Sequence, residues 1–105
     1  MDFIRYFELQ KGKMVDFLRQ AVKFESPSGD KKAVDACSLF VVKELKKIGA
    51  KITRFPQEKN GDLYLAQYPP DIEKRKGQIL LLTHTDTVWP VGKIKKMPFY
   101  KKGNK

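Results

Sequence analysis

The run Gln78-Ile79-Leu80-Leu81-Leu82-Thr83 limits what this chain can become more than any other stretch of it. A strand with one solvated face alternates apolar and polar side chains, whereas consecutive aliphatic residues are apolar on both faces and call for cover on each side. The run therefore predicts a buried central strand over 78–83 in an α/β architecture, flanked by helices.

Two helical patterns precede it. Met14, Phe17, Leu18, Ala21 and Val22 recur at three- and four-residue steps, predicting a helix over 13–23 that Phe3, Ile4 and Phe7 would lengthen toward the N-terminus, with Gly12 as its weak point. Glu25-Ser26-Pro27-Ser28-Gly29-Asp30 is rich in turn formers and ends in N-cap residues, so a second helix is expected over 30–48. Its stripe is Ala33, Ala36, Cys37, Phe40, Val41, Leu45 and Ile48, and Gly49 stands where a left-handed cap residue belongs. Strands are expected over 51–55 and 62–68, joined around Asn60-Gly61 as an antiparallel hairpin. Pro69-Pro70 closes the second of these, and the charged stretch 71–76 reads as a solvated loop.

With 105 residues, the chain has enough material for one modest core, which makes it one small domain or a piece of one. No apolar run exceeds four residues and Met1 is followed at once by Asp2, so neither a membrane span nor a secretory leader is expected and the cytoplasm is the expected location. The lone cysteine, Cys37, has no second Cys or His near it at metal-ligand spacing and reads as a small buried residue. The formal charge of +10 suggests a small basic domain that binds nucleic acid or an acidic partner. Its distribution weakens that reading, because Lys93, Lys95, Lys96, Lys101, Lys102 and Lys105 crowd the last thirteen residues with no acid among them. A solvated lysine-rich end over 93–105 accounts for much of the excess.

The chemistry-bearing motif follows the apolar run: Thr83-His84-Thr85-Asp86-Thr87-Val88. In open α/β sheets ligands bind beyond the carboxyl ends of the strands. His84 is the only histidine, and along an extended backbone it and Asp86 project from the same side. A metal-bound imidazole commonly donates its second ring N–H to a carboxylate, an arrangement this spacing suits. Ser26 and Ser28 lack a nucleophile elbow and read as turn and cap residues. Trp89 is assigned to packing against the sheet edge in preference to a pocket.

In this order, the helix, turn, helix, hairpin and apolar run ending in His84-Thr85-Asp86-Thr87-Val88 resemble the N-terminal part of the catalytic domain of a zinc-dependent peptidase and amidohydrolase family. That family includes glutamate carboxypeptidase, aminoacylase and succinyl-diaminopimelate desuccinylase. Glu25-Ser26-Pro27-Ser28-Gly29, Ile48-Gly49-Ala50 and Trp89-Pro90-Val91-Gly92 are similar to the same family, nearest its glutamate carboxypeptidase branch, and the resemblance runs from about Met14 onward.

The resemblance implies that His84 ligates one of two zinc ions and that Asp86 is the carboxylate orienting it. It also implies that a metal-bridging Asp, a Glu general base, further carboxylates and a second His follow downstream of Lys105. In such enzymes the zinc pair polarises an amide carbonyl and lowers the pKa of a bridging water to roughly 7. The implied substrate is a peptide or N-acyl amino acid. A homodimer is expected only of the complete enzyme, and the 105 residues alone are expected to be an inactive N-terminal fragment.

Overall fold

The computed structural model describes residues 1–71, 73 and 76–105. Helix α1 spans Phe3–Val22, with Asp2 as its N-cap accepting from the Arg5 amide at 3.2 Å. It thus starts ten residues before 13, and Gly12 lies inside it with nothing within 4 Å of where a Cβ would stand. A single helical glycine costs about 1 kcal/mol, which twenty residues of otherwise good helix formers can absorb. The helix buries none of its own residues. It meets the next helix through Phe17, 5.2 Å from Phe40 between centroids, and Phe24, just past its end, lies 5.0 Å from the same ring.

Helix α2 covers Lys31–Lys47, close to the expected 30–48. Asp30 caps its start by accepting from the Ala33 amide at 3.0 Å. At its end Gly49 takes φ 88°, and the Gly49 and Ala50 amides donate to the Lys46 and Leu45 carbonyls, the paired closure of a Schellman cap. The buried face corrects the expected stripe. Val34, Cys37, Ser38 and Val42 are buried, whereas Ala36 and Ile48 are exposed. The hairpin decides this, because it packs on the Val34 side of the helix and turns the inward face toward itself.

Strands β1 (Lys51–Phe55) and β2 (Leu63–Gln67) pair antiparallel, Lys51 opposite Gln67 and Phe55 opposite Leu63. The second is a residue shorter at each end than 62–68, and Asn60-Gly61 is not a two-residue turn. Gly61 lies where the loop crosses α2, and a Cβ there would overlap Val34 Cγ1 and stand 2.9 Å from Val34 Cβ. Asp62 leaves the strand to organise the loop. One oxygen accepts from Lys31 Nζ at 2.7 Å and the Gln57 amide at 2.8 Å, and the other from Arg54 Nε at 2.7 Å. The Asp62 amide in turn donates to Asp35 at 2.7 Å, and Asp35 accepts from Lys31 at 2.9 Å. The Asp62 side chain is 3% exposed, so this carboxylate is out of water and its desolvation is met by three donors.

The architecture expected from the sequence, two helices packed on a sheet, is present, but its buried central strand is not. Among the described residues the sheet has two strands, and 78–83 belongs to neither. Ile79 is 91% exposed and Leu82 89%. Burying both faces of a strand needs partner strands and covering layers, and the β1–β2 hairpin does not take this run in as a third strand. The charged stretch between β2 and this run includes residues 72, 74 and 75, which lie outside the described residues. The lysine-rich end begins with a short helix, α3 (Lys93–Lys96). Among the described residues no helix is long and apolar enough to cross a membrane.

Two outcomes follow from this packing. Gly61→Ala should destabilise the chain by about 1–3 kcal/mol, the range for overpacking, and Val34→Ala should lessen that penalty in the double variant. Gly12→Ala should act in the opposite sense by about 0.5–1 kcal/mol. Urea denaturation curves of the wild type and these four variants test both signs.

The second outcome concerns acid. Lys31 first, then the Gln57 amide and Arg54, hold the Asp62 carboxyl well below the usual carboxylate range. A depressed folded-state pKa gives stability that is complete above the unfolded value of about 3.9 and is lost as pH falls through the folded one. Lys31, raised chiefly by Asp62, has the opposite limb, lost above about pH 10. The thermal midpoint should therefore be nearly level between about pH 5 and 8 and fall below about pH 4. Asp62→Asn should lower the plateau and flatten the acid limb.

Candidate metal-ligand site

The second half of the chain is fastened to the helices by the turn between α1 and α2. Pro27 and Thr87 form a parallel bridge, in which the Thr87 amide donates to the Ser26 carbonyl at 2.8 Å and the Ser28 amide to the Thr87 carbonyl at 3.0 Å. Three serine hydroxyls reinforce it. Ser26, 3% exposed, donates to the Thr85 carbonyl at 2.6 Å, Ser38 of α2 shares a 2.8 Å hydrogen bond with the Thr85 hydroxyl, and Ser28 donates to Asp86 Oδ2 at 2.6 Å. Residues 85–87 are consequently held at fixed height above α2.

On this platform the sequence-predicted pair comes together. His84 Nδ1 lies 3.0 Å from the Asp86 carbonyl and 3.1 Å from Asp86 Oδ1. Both neighbours are acceptors, so Nδ1 carries the hydrogen and, in the neutral ring, Nε2 keeps its lone pair. The histidine side chain is 82% exposed, which leaves Nε2 open to solvent. Ser28's hydrogen bond, more than the imidazole beside it, holds Asp86 below the usual carboxylate range, so the acceptor is ionised at neutral pH.

His84 stands at the edge of a cleft of about 450 Å³ between the end of α1, α2 and α3. Its walls are largely apolar, with Val22, Val41, Ile94 and Met97 among them, and Cys37 contributes as a buried free thiol. Trp89 lines this cleft instead of the sheet edge, with Lys93 Nζ 5.1 Å from its ring centroid. The cation over the indole draws the ring toward α3.

Glu25 is an organising residue that escaped the sequence reading. Glu25 accepts from the Gly92 amide at 2.9 and 3.0 Å and from the Ile94 amide at 2.9 Å, capping α3 from across the cleft. Those two amides, Gly92 foremost, hold its carboxyl below the ordinary value. The signal available was indirect: α3 has no acidic residue in its own first turn, so its amides needed an acceptor from elsewhere. In the lysine-rich end, Phe99 lies under Arg19, 5.4 Å from the guanidinium carbon to the ring centroid, so one face of that ring is already taken.

As a metal site the donor set is partial. Among the described residues no three His, Cys, Asp or Glu side chains converge on one point. The chain offers one imidazole, backed by a carboxylate, with its free nitrogen open to solvent.

Set beside known proteins, the chain is 31% identical over 94 residues to Carboxypeptidase G2 of Pseudomonas sp. (strain RS-16). The match takes in 88% of this chain and 22% of that protein, so the chain spans about a fifth of the length of the relative it matches. No family model matches the chain. No solved structure matches it.

Glu25→Ala should release α3 without unfolding the helix pair. Charge-assisted bonds of this kind contribute enough that amide exchange at Gly92 and Ile94 should quicken by about tenfold or more, while Val34 and Val42 keep their protection. Equal loss at all four amides would show that Glu25 supports the whole fold.

Proposed function

We propose that this chain is the N-terminal part of a zinc-dependent metallopeptidase of carboxypeptidase type, in which His84 ligates metal through Nε2 and Asp86 orients the ring. The observation that carries the reading is the His84–Asp86 contact, which leaves one nitrogen of an otherwise solvated imidazole as a lone-pair donor at the mouth of a cleft. The similarity to Carboxypeptidase G2 extends across this segment and supports it.

The residues present fit zinc as one ligand of a larger set. Structural sites take four protein ligands and catalytic sites usually three, so the remaining ligands, a second zinc and the general base belong to the complete enzyme. Zinc in such a site supplies Lewis-acid polarisation of a carbonyl and a nucleophile drawn from water near neutral pH. The chain's own part is to present Nε2 deprotonated, keep the Nδ1 hydrogen on Asp86, and hold both on the serine-fastened loop. The complete form would hydrolyse an amide bond of a peptide or N-acyl amino acid, and the 105 residues by themselves would hydrolyse nothing.

Calorimetric titration tests this. Zinc should bind the 105-residue chain weakly, His84→Ala should abolish the binding, and acylated or glutamyl substrates should stay intact. In a form extended through the rest of a carboxypeptidase-length chain, His84→Ala should remove activity and one zinc per subunit. Asp86→Ala should there lower zinc affinity by roughly ten- to a hundredfold. Submicromolar affinity in the short chain, or full activity of the extended His84→Ala protein, would sink the assignment.

A further inference from the structure

Asp86 has two carboxylate oxygens with different partners: Oδ1 faces His84 Nδ1 at 3.1 Å, and Oδ2 accepts from Ser28 Oγ at 2.6 Å. We infer that Ser28 is a positioning residue for His84, acting through Asp86, so that a serine of the inter-helix turn selects which imidazole nitrogen carries the proton. The inference rests on the role proposed above for His84.

Three features of the geometry carry it. The first is the strength of the Ser28 contact. Ser28 has one hydroxyl hydrogen and two acceptors within reach, Asp86 Oδ2 at 2.6 Å and the Thr87 carbonyl at 3.1 Å. The shorter contact is to an ionised group and falls in the range of charge-assisted O–H···O⁻ bonds, and the Thr87 carbonyl already accepts from the Ser28 amide. The hydrogen therefore belongs to Asp86.

The second feature is that the donor itself is fixed. Ser28 is held by its amide bond to Thr87 and by the turn that the Asp30 amide closes on the Pro27 carbonyl at 2.9 Å. The Asp86 side chain, by contrast, is 41% exposed, and among the described residues its side-chain anchors are Ser28 and His84. Without the hydroxyl, Oδ2 turns to water and the carboxylate swings with it. A side chain free to rotate holds Nδ1–H less well, because the ordering entropy that Ser28 supplies in advance then opposes the bond.

The third is the consequence for the ring. In water free imidazole favours hydrogen on Nε2, the nitrogen a metal here would need. Asp86 must reverse that preference, with help from its own carbonyl at 3.0 Å. The carbonyl survives any change at Ser28, so the expected loss is partial.

The test reads the tautomer directly in the metal-free 105-residue chain, by long-range proton–nitrogen correlation of the imidazole at about pH 8. Wild type should show mainly Nδ1–H. Ser28→Ala should lower the Nδ1–H to Nε2–H ratio by about three- to tenfold, and Ser28→Thr, which keeps the hydroxyl, should stay within about twofold of wild type. Asp86→Ala, measured alongside, separates this inference from the reading beneath it. If Asp86→Ala shifts the ratio and Ser28→Ala does not, Ser28 has no positioning role and the His84–Asp86 pair stands. If neither shifts it, the pair and the inference both fall. An equal drop in Ser28→Ala and Ser28→Thr would overturn the inference in favour of turn geometry. Should Ser28→Ala lose its amide dispersion, Ser28→Cys, similar in size and a weaker donor, decides in its place: a lowered ratio supports the inference and an unchanged one overturns it.

Discussion

The buried carboxylate of Asp62 joins elements that apolar contact alone would hold loosely. Through Lys31 it reaches α2, through Arg54 it reaches β1, and through the Gln57 amide it closes the hairpin loop. The apolar core beside it consists of Val34, Cys37 and Val42, small side chains that bury little area. With so modest a hydrophobic contribution, the docking of the hairpin on α2 depends on satisfying this one group, and the close passage of Gly61 over Val34 is what lets Asp62 reach its partners. Two carboxylates and two cations make the cluster electrically balanced, which offsets the cost of taking Asp62 out of water.

A second set of polar contacts performs the same task for residues beyond 84. Ser26, Ser28 and Ser38 hold the loop carrying His84 and Asp86, and Glu25 holds α3. Each of these joins residues far apart in sequence, so together they set the height and tilt of the loop above the helices. The site is thereby placed by hydrogen bonds whose directionality fixes orientation, a property that non-directional apolar packing does not provide. Large aliphatic surface is meanwhile left in water, at 79–82 and along the first turns of α1. Contiguous apolar surface of this kind is more than scattered surface residues account for.

Local signals were legible wherever a few neighbouring residues decide the backbone. Asp30 as a cap, Gly49 in the left-handed region and the limits of 51–55 arise from short-range stereochemistry, and the two-residue spacing puts His84 within reach of Asp86. The central strand was a different kind of inference. The pattern at 78–83 states what the residues require, which is cover on both faces, and whether that cover exists depends on partners elsewhere in the chain. The pattern predicted a buried central strand, and the structure leaves the run exposed and outside the sheet.

The sequence alone determined the two helices, the hairpin, the pairing of His84 with Asp86 and the net positive end, since each is set by periodicity, turn chemistry or residue spacing. The tertiary structure alone decided which face of α2 is buried, that Asp62 leaves its strand to serve as the junction, that Glu25 caps α3, and that Ser28 reaches Asp86. The Lys31–Asp62, Ser28–Asp86 and Glu25–Gly92 contacts close across 31, 58 and 67 residues. Their partners are common polar side chains that carry no local mark of their role, and only the folded path of the backbone brings donor and acceptor within 3 Å.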